Sequence, residues 1–169
     1  MASAGTGSNG HLTGELFQVI TGVKLTHVPY KGSGVGLVDA VGGQVDLIFD
    51  QVSTSGALIR SGKLRALATA ASTRSVLLPD IPTMEEAGVR GLEASTYPGI
   101  MLPAATPREI VARVHAALLR VLDLPATREN FHRLGAEVLK STPEEFTRRL
   151  REDLAKWQRI ARDTGIRLE

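Results

Sequence analysis

A chain of 169 residues holds one ordinary domain or two small lobes. With 43% hydrophobic, 22% charged and only 4% aromatic residues, it reads as a globular chain whose core rests on Val, Leu, Ile and Ala. A net charge of +2 is too small to recruit nucleic acid, the lack of cysteine excludes disulfides and thiol chemistry, and no apolar run approaches the ~20 residues of a membrane span. No basic-then-apolar leader stands at Met1, so an exported protein would carry its leader ahead of this chain.

The first residues, Ala2 to Gly10, form a small glycine-rich loop that feeds a helix over Ser8 to Thr21. Leu12, Leu16, Val19 and Ile20 share one face of that helix, Ser8 caps it and Gly22 stops it. Only four residues precede Gly5, so the strand that should lead into the loop is expected to be missing. Leu25–Val28 then reads as a strand, Pro29–Gly34 as a loop, and Val35–Val41 as a short helix ended by Gly42-Gly43. Val45–Phe49 is a buried strand, Ser53–Arg60 a helix, and Leu64–Thr69 the next strand. This alternation predicts an α/β fold with a parallel or mixed sheet covered by helices.

Thr83 to Glu86 fits a capping box opening a helix of one or two turns, closed by Gly88. Leu92–Leu102 looks extended, but Pro98 has no ladder donor, so the segment is expected to be an edge, a bent crossover or two strand pieces, connecting the lobes. The last third is helical. Thr106-Pro107-Arg108-Glu109 starts one helix, with Ile110, Val111, Val114, Leu118, Val121 and Leu122 as its stripe. Pro125–Leu134 is a second helix and Glu137–Leu139 a short strand. Thr142-Pro143-Glu144-Glu145 starts a long third helix, with Phe146, Leu150, Leu154, Trp157 and Ala161 on one side and its end near Gly165.

The chemistry concentrates in loops at strand ends. Free N–H groups of a helix's first turn, with the aligned peptide dipoles behind them, attract anions. The loop of Ser3, Ala4, Gly5, Thr6, Gly7 and Ser8 offers such groups with no bulky side chain in the way, and the Thr6 and Ser8 hydroxyls add donors. Gly5-x-Gly7-x-x-Gly10 also matches the dinucleotide fingerprint. That reading needs a leading strand and an acid about 20 residues on, and the stretch from Val23 to Val28 has no carboxylate. Tyr30 in the second loop offers a hydroxyl and a ring wall, and Lys31 adds charge. Asp50, at the end of a strand, either receives a ligand's ammonium or hydroxyl group or ties down neighbouring loop N–H groups. In a parallel sheet, loops 3–9 and 30–34 should lie on one edge. His11, His27, His115 and His132 have no metal-ligand spacing, and there is no nucleophile elbow and no close carboxylate pair. No metal, cofactor or catalysis is expected.

These motifs occur in a familiar order. Ala2-Ser3-Ala4-Gly5-Thr6-Gly7-Ser8 with His11-Leu12, then His27-Val28-Pro29-Tyr30-Lys31-Gly32 and Gly42-Gly43-Gln44-Val45-Asp46-Leu47, resemble the Bug family of periplasmic solute receptors, the binding components of tripartite tricarboxylate transporters. The likeness continues through Ser61-Gly62-Lys63-Leu64, Leu78-Pro79-Asp80-Ile81-Pro82-Thr83 and Pro103-Ala104-Ala105-Thr106-Pro107 to Ser141-Thr142-Pro143-Glu144-Glu145-Phe146.

The resemblance implies a type II periplasmic-binding-protein fold, a small carboxylate held between two lobes, and membrane transporter subunits as partners of the full-length receptor. It carries ligand-binding roles onto Ser3 through Ser8, Tyr30 and Asp50. It also implies that residues 1–93 form the second lobe and 94–169 the return into the first, with the N-terminal half of that lobe absent. The apolar stripes of the last helices are then expected to self-associate or to repack onto residues 1–93. Two other functions compete: a nucleotide-binding α/β enzyme domain using the Gly5–Gly10 loop, and a structural fragment with no ligand.

Overall fold

The structure is a computed structural model and describes residues 1–166. A strand stands where the sequence left none: Ala2–Ser3 forms β1, pairing in parallel with β2, Val28–Pro29, in the register Ala2 to Val28 and Ser3 to Pro29. Two extended residues suffice because both flanks of β1 are used. Ala2 also bridges Ile48 in parallel, and its N–H donates to Leu47 O at 2.8 Å. The expected strand Val45–Phe49 therefore shrinks to that bridge, and β1 lies between two parallel neighbours.

A helix follows each strand segment. α1 spans Asn9–Thr21, α2 Ser33–Val41 and α3 Val52–Arg60. Ser8 caps α1 by accepting the His11 N–H, and Gly22 closes it at φ 73°, a left-handed conformation that costs glycine little. α1 lies close on the sheet because Gly10 has no side chain: a Cβ there would stand 2.3 Å from the Phe49 carbonyl oxygen.

The other predicted strands are reduced further. Leu64–Thr69 and Glu137–Leu139 are not strands; the first contributes one parallel bridge, Thr69 to Thr83. Leu67 is 66% exposed, with no strand beside it among the described residues to complete a ladder. The Thr83–Glu86 capping box is present, with Thr83 N–H donating to Glu86 at 2.8 Å and Glu86 N–H to Thr83 Oγ1 at 3.1 Å, but it closes a turn, not a helix. Leu92–Leu102 forms no strand, and its Ala94 N–H donates to Ala70 O at 2.8 Å.

α4 (Arg108–Asp123), α5 (Pro125–Arg133) and α6 (Pro143–Thr164) make the helical third. Pro107 is the N-cap of α4 in place of the expected Thr106. α6 has the predicted capping box between Thr142 and Glu145 and ends at Gly165.

Leu16, Leu92 and Ile160 form the buried centre, with Phe17, Ala70, Met84, Val89 and Trp157 packed around it, so α6 folds back onto α1. Leu154, expected on the buried face of α6, is 59% exposed, whereas Ile160 is 5% exposed. At about 100° per residue, Leu154 lies roughly 80° from Phe146 around the helix, while Leu150, Trp157 and Ile160 stay within about 40° of it. α4 and α5 have no buried residue. The chain exposes 11,400 Å² at 18.1 kDa. Mass scaling gives about 8,100 Å² for a folded monomer of that size. The repacking expected of the last helices thus holds for α6 and not for α4 or α5.

Candidate functional site

Parallel pairing decides which loops meet. The chain leaves β1, β2 and Ile48 in the same direction, so loops 4–8, 30–32 and 49–51 open on one rim. Each runs into a helix, which brings the N-termini of α1, α2 and α3 to that rim. Hydrogen bonds tie the first two loops together: Tyr30 N–H donates to Ser3 O at 3.1 Å and Gly32 N–H to Ala4 O at 3.2 Å. The expectation of a shared edge for loops 3–9 and 30–34 is met.

Each candidate residue has a definite place. Ser3 is fully buried, and its hydroxyl faces inward, accepting Gly5 N–H at 3.1 Å and lying 2.6 Å from His27 Nε2. Ala4 gives its carbonyl to Gly32. Gly5 turns at φ 133° and Gly7 at φ 76°, both in the region glycine favours. Gly7 N–H donates to His11 Nδ1 at 3.0 Å, and Ser8 N–H to Gly5 O at 3.1 Å. Thr6 is exposed at the loop tip. Among the described residues, the N–H groups of Thr6, Asn9 and Gly10 have no protein acceptor. The loop therefore presents unpaired donors outward and uses the others to fix its own shape.

Tyr30 donates its hydroxyl to Asp39 of α2 at 2.7 Å. That hydrogen bond is the main reason its phenol titrates above the ordinary range, since ionisation would break it. Its ring lies against Gly36, where a Cβ would stand 3.3 Å from Cδ2. Asp50 accepts the Thr54 hydroxyl from the first turn of α3, so its carboxylate ties down the start of that helix and, among the described residues, takes no loop N–H group. Lys31 is exposed.

Sequence reasoning missed the groups beneath the loop. His11 and His27 stack with ring centres 3.8 Å apart and an interplanar angle of 8°. His11 is 6% exposed. The spacing of Gly7 and His11, one helical turn apart, was the available signal. Of the other histidines, His115 places Nε2 2.9 Å from Ser141 O and His132 is exposed. No group of His, Asp and Glu among the described residues is arranged to hold a metal.

One objection to the dinucleotide fingerprint falls, because β1 does lead into the loop. The other stands: Tyr30-Lys31-Gly32 follows β2, and no carboxylate is available there to take a ribose hydroxyl.

Comparison with known proteins bears on the family and the fold. Protein BugT of Bordetella pertussis is 36% identical over 163 residues, covering 96% of this chain and 50% of BugT. The structure titled R. palustris Rpa4515 with adipate superposes with a TM-score of 0.87 at 34% identity, covering 98% of this chain and 55% of that one. MatC (Rpa3494) from Rhodopseudomonas palustris with bound malate gives 0.79 at 35% identity, covering 94% and 55%. The chain spans about half the length of the curated relatives it matches, and its fold is that of the periplasmic binding proteins of this type. The family model described as tripartite tricarboxylate transporter family receptor (TctC) matches residues 1–166, and the chain belongs to that family.

Proposed function

We propose that this chain carries one side of the ligand cleft of a periplasmic receptor for a small carboxylate, serving a tripartite transporter without catalysis of its own. The observation that carries this reading is the single rim where three strand–loop–helix units end and the N–H groups of Thr6, Asn9 and Gly10 have no protein acceptor among the described residues. A carboxylate at that rim takes hydrogen bonds from these groups and from the Ser8 hydroxyl, and it meets the positive ends of the helix dipoles. Ser3, Gly5 and Gly7 shape the loop, Ala4 locks it to the second loop, Tyr30 walls it, and Asp50 holds α3 at the same edge. The relatives solved with adipate and malate support a dicarboxylate as ligand class.

Residues 1–93 would supply this lobe and residues 94–166 the crossover and part of the other. The exposed faces of α4 and α5 would then be covered by the segments that the longer relatives possess. Contacts from one side of a cleft are expected to bind weakly, with Kd of about 1 mM or above. Titrating 15N-labelled chain with adipate and with malate tests the site. Thr6, Asn9, Gly10 and Gly34 amides are expected to shift in a saturable way. Shifts confined to another surface, or none up to about 50 mM, would overturn the assignment.

A further inference from the structure

His11, which is buried, and His27, which is partly buried, stack beneath the loop, and a nitrogen of the pair holds that loop. A backbone N–H only donates. Because Gly7 N–H points at His11 Nδ1 at 3.0 Å, that nitrogen must be the unprotonated acceptor and Nε2 must carry the ring hydrogen. Nε2 faces Glu15 Oε1 at 3.6 Å from the same helix. On the other side of the stack, His27 Nε2 meets the Ser3 hydroxyl at 2.6 Å, and that same hydroxyl accepts Gly5 N–H. The two rings thus grip the loop at Gly5 and Gly7, on either side of Thr6.

We propose that His11 and His27 form a neutral stacked brace that sets the shape of the Gly5–Ser8 loop, and that protonation of His11 releases Gly7 and weakens anion capture. The link to anion capture rests on the receptor reading above; the brace itself does not.

The two histidines respond differently to acid. A proton on His27 Nε2 is accommodated, because Ser3 Oγ accepts from it and turns its own hydrogen to Gly5 O, 3.1 Å away. A proton on His11 Nδ1 is not, because it would point at the hydrogen of Gly7. At 3.8 Å the stacked rings also repel if both are charged. The charged and titratable groups around the pair are Glu15 from α1 and the Met1 amino group, which is anchored on Thr26 O at 2.6 Å. Burial, then His11, then the Met1 ammonium push the His27 imidazole below its ordinary value, which favours the neutral stack.

The test follows the loop directly. Imidazole 15N shifts of the full chain across pH 8 to 4 report tautomer and protonation, and hydrogen exchange at Gly7, corrected for its intrinsic pH dependence, reports the brace. At pH 8, His11 is expected as the Nε2–H tautomer with Gly7 protected. As His11 protonates, Gly7 exchange should rise about 5- to 10-fold, the net worth of one hydrogen bond. His11→Asn, whose Oδ1 can accept from Gly7 and cannot be protonated, should keep Gly7 protected and flatten its pH profile. His11→Phe keeps a ring on His27 and should leave Gly7 unprotected at every pH. The Leu16, Leu92 and Ile160 methyl signals check that each variant is folded.

An Nδ1–H tautomer at pH 8, or Gly7 protection that is unchanged while His11 protonates, would overturn the brace. Adipate should shift the Thr6 amide at about 3-fold or more higher concentration once His11 is charged, and not so in His11→Asn. If adipate shifts no loop amide at any pH, the receptor reading fails, while Gly7 protection still decides the brace.

Discussion

Replacing Gly10 with alanine measures how closely the first turn of α1 sits on the sheet. The new Cβ would stand 2.3 Å from the Phe49 carbonyl oxygen. A carbon and a carbonyl oxygen rest at about 3.3 Å or more, so α1 or the segment around Phe49 must move by about 1 Å. Overpacking of this kind costs about 1–3 kcal/mol, and the better helix propensity of alanine returns up to about 1 kcal/mol. The net expectation is a loss of about 1–2 kcal/mol, a drop in Tm of about 3–6 °C for a chain of this size. Gly34 is the control. It lies in the first turn of α2, and a Cβ there meets nothing within 4 Å. Gly34→Ala should therefore stabilise by about 0.5–1 kcal/mol. Urea unfolding followed by circular dichroism reads both, with an unchanged slope needed for the comparison. If the two variants have the same midpoint, the close approach of α1 to the sheet is wrong, and with it the geometry of the rim.

Other outcomes follow from the packing. Ile160→Ala should cost about 2–4 kcal/mol and release α6 from α1, shifting the emission of the single tryptophan, Trp157, to the red; unchanged emission would refute the contact. Gly99→Ala places a Cβ 2.2 Å from Phe146 Cζ, so it should destabilise the chain, and Phe146→Leu in the same chain should relieve part of that loss. A double-mutant cycle in stability should give a coupling of about 1 kcal/mol, and strict additivity would contradict the contact. The exposed faces of α4 and α5 should make the isolated chain associate as its concentration rises, as sedimentation velocity would show; a monomer at every concentration would count against it.

Local rules carried most of the helices. Ser8 and Gly22 bound α1, and the Thr142–Glu145 capping box and Gly165 bound α6, because these ends are fixed by hydrogen bonds within a few residues. The glycine-rich loop, its donors and the second loop at Tyr30 were also legible, since each depends on nearest neighbours. Strands were not, because a strand exists only where another segment pairs with it. Ala2–Ser3 became the middle of the sheet although it looked too short, and Leu64–Thr69 failed to become a strand despite its apolar run.

Burial was decided in the same way. Periodicity marked the apolar stripes of α4 and α6 alike, yet only α6 met a partner, and the rotation of that contact exposed Leu154 and buried Ile160. The stacking of His11 on His27 joins residues from α1 and from the approach to β2, so only the folded chain puts the two rings in contact. The sequence alone determined helix ends and loop chemistry, which are short-range. Tertiary structure alone decided pairing, burial and the groups beneath the loop, because these depend on segments distant along the chain.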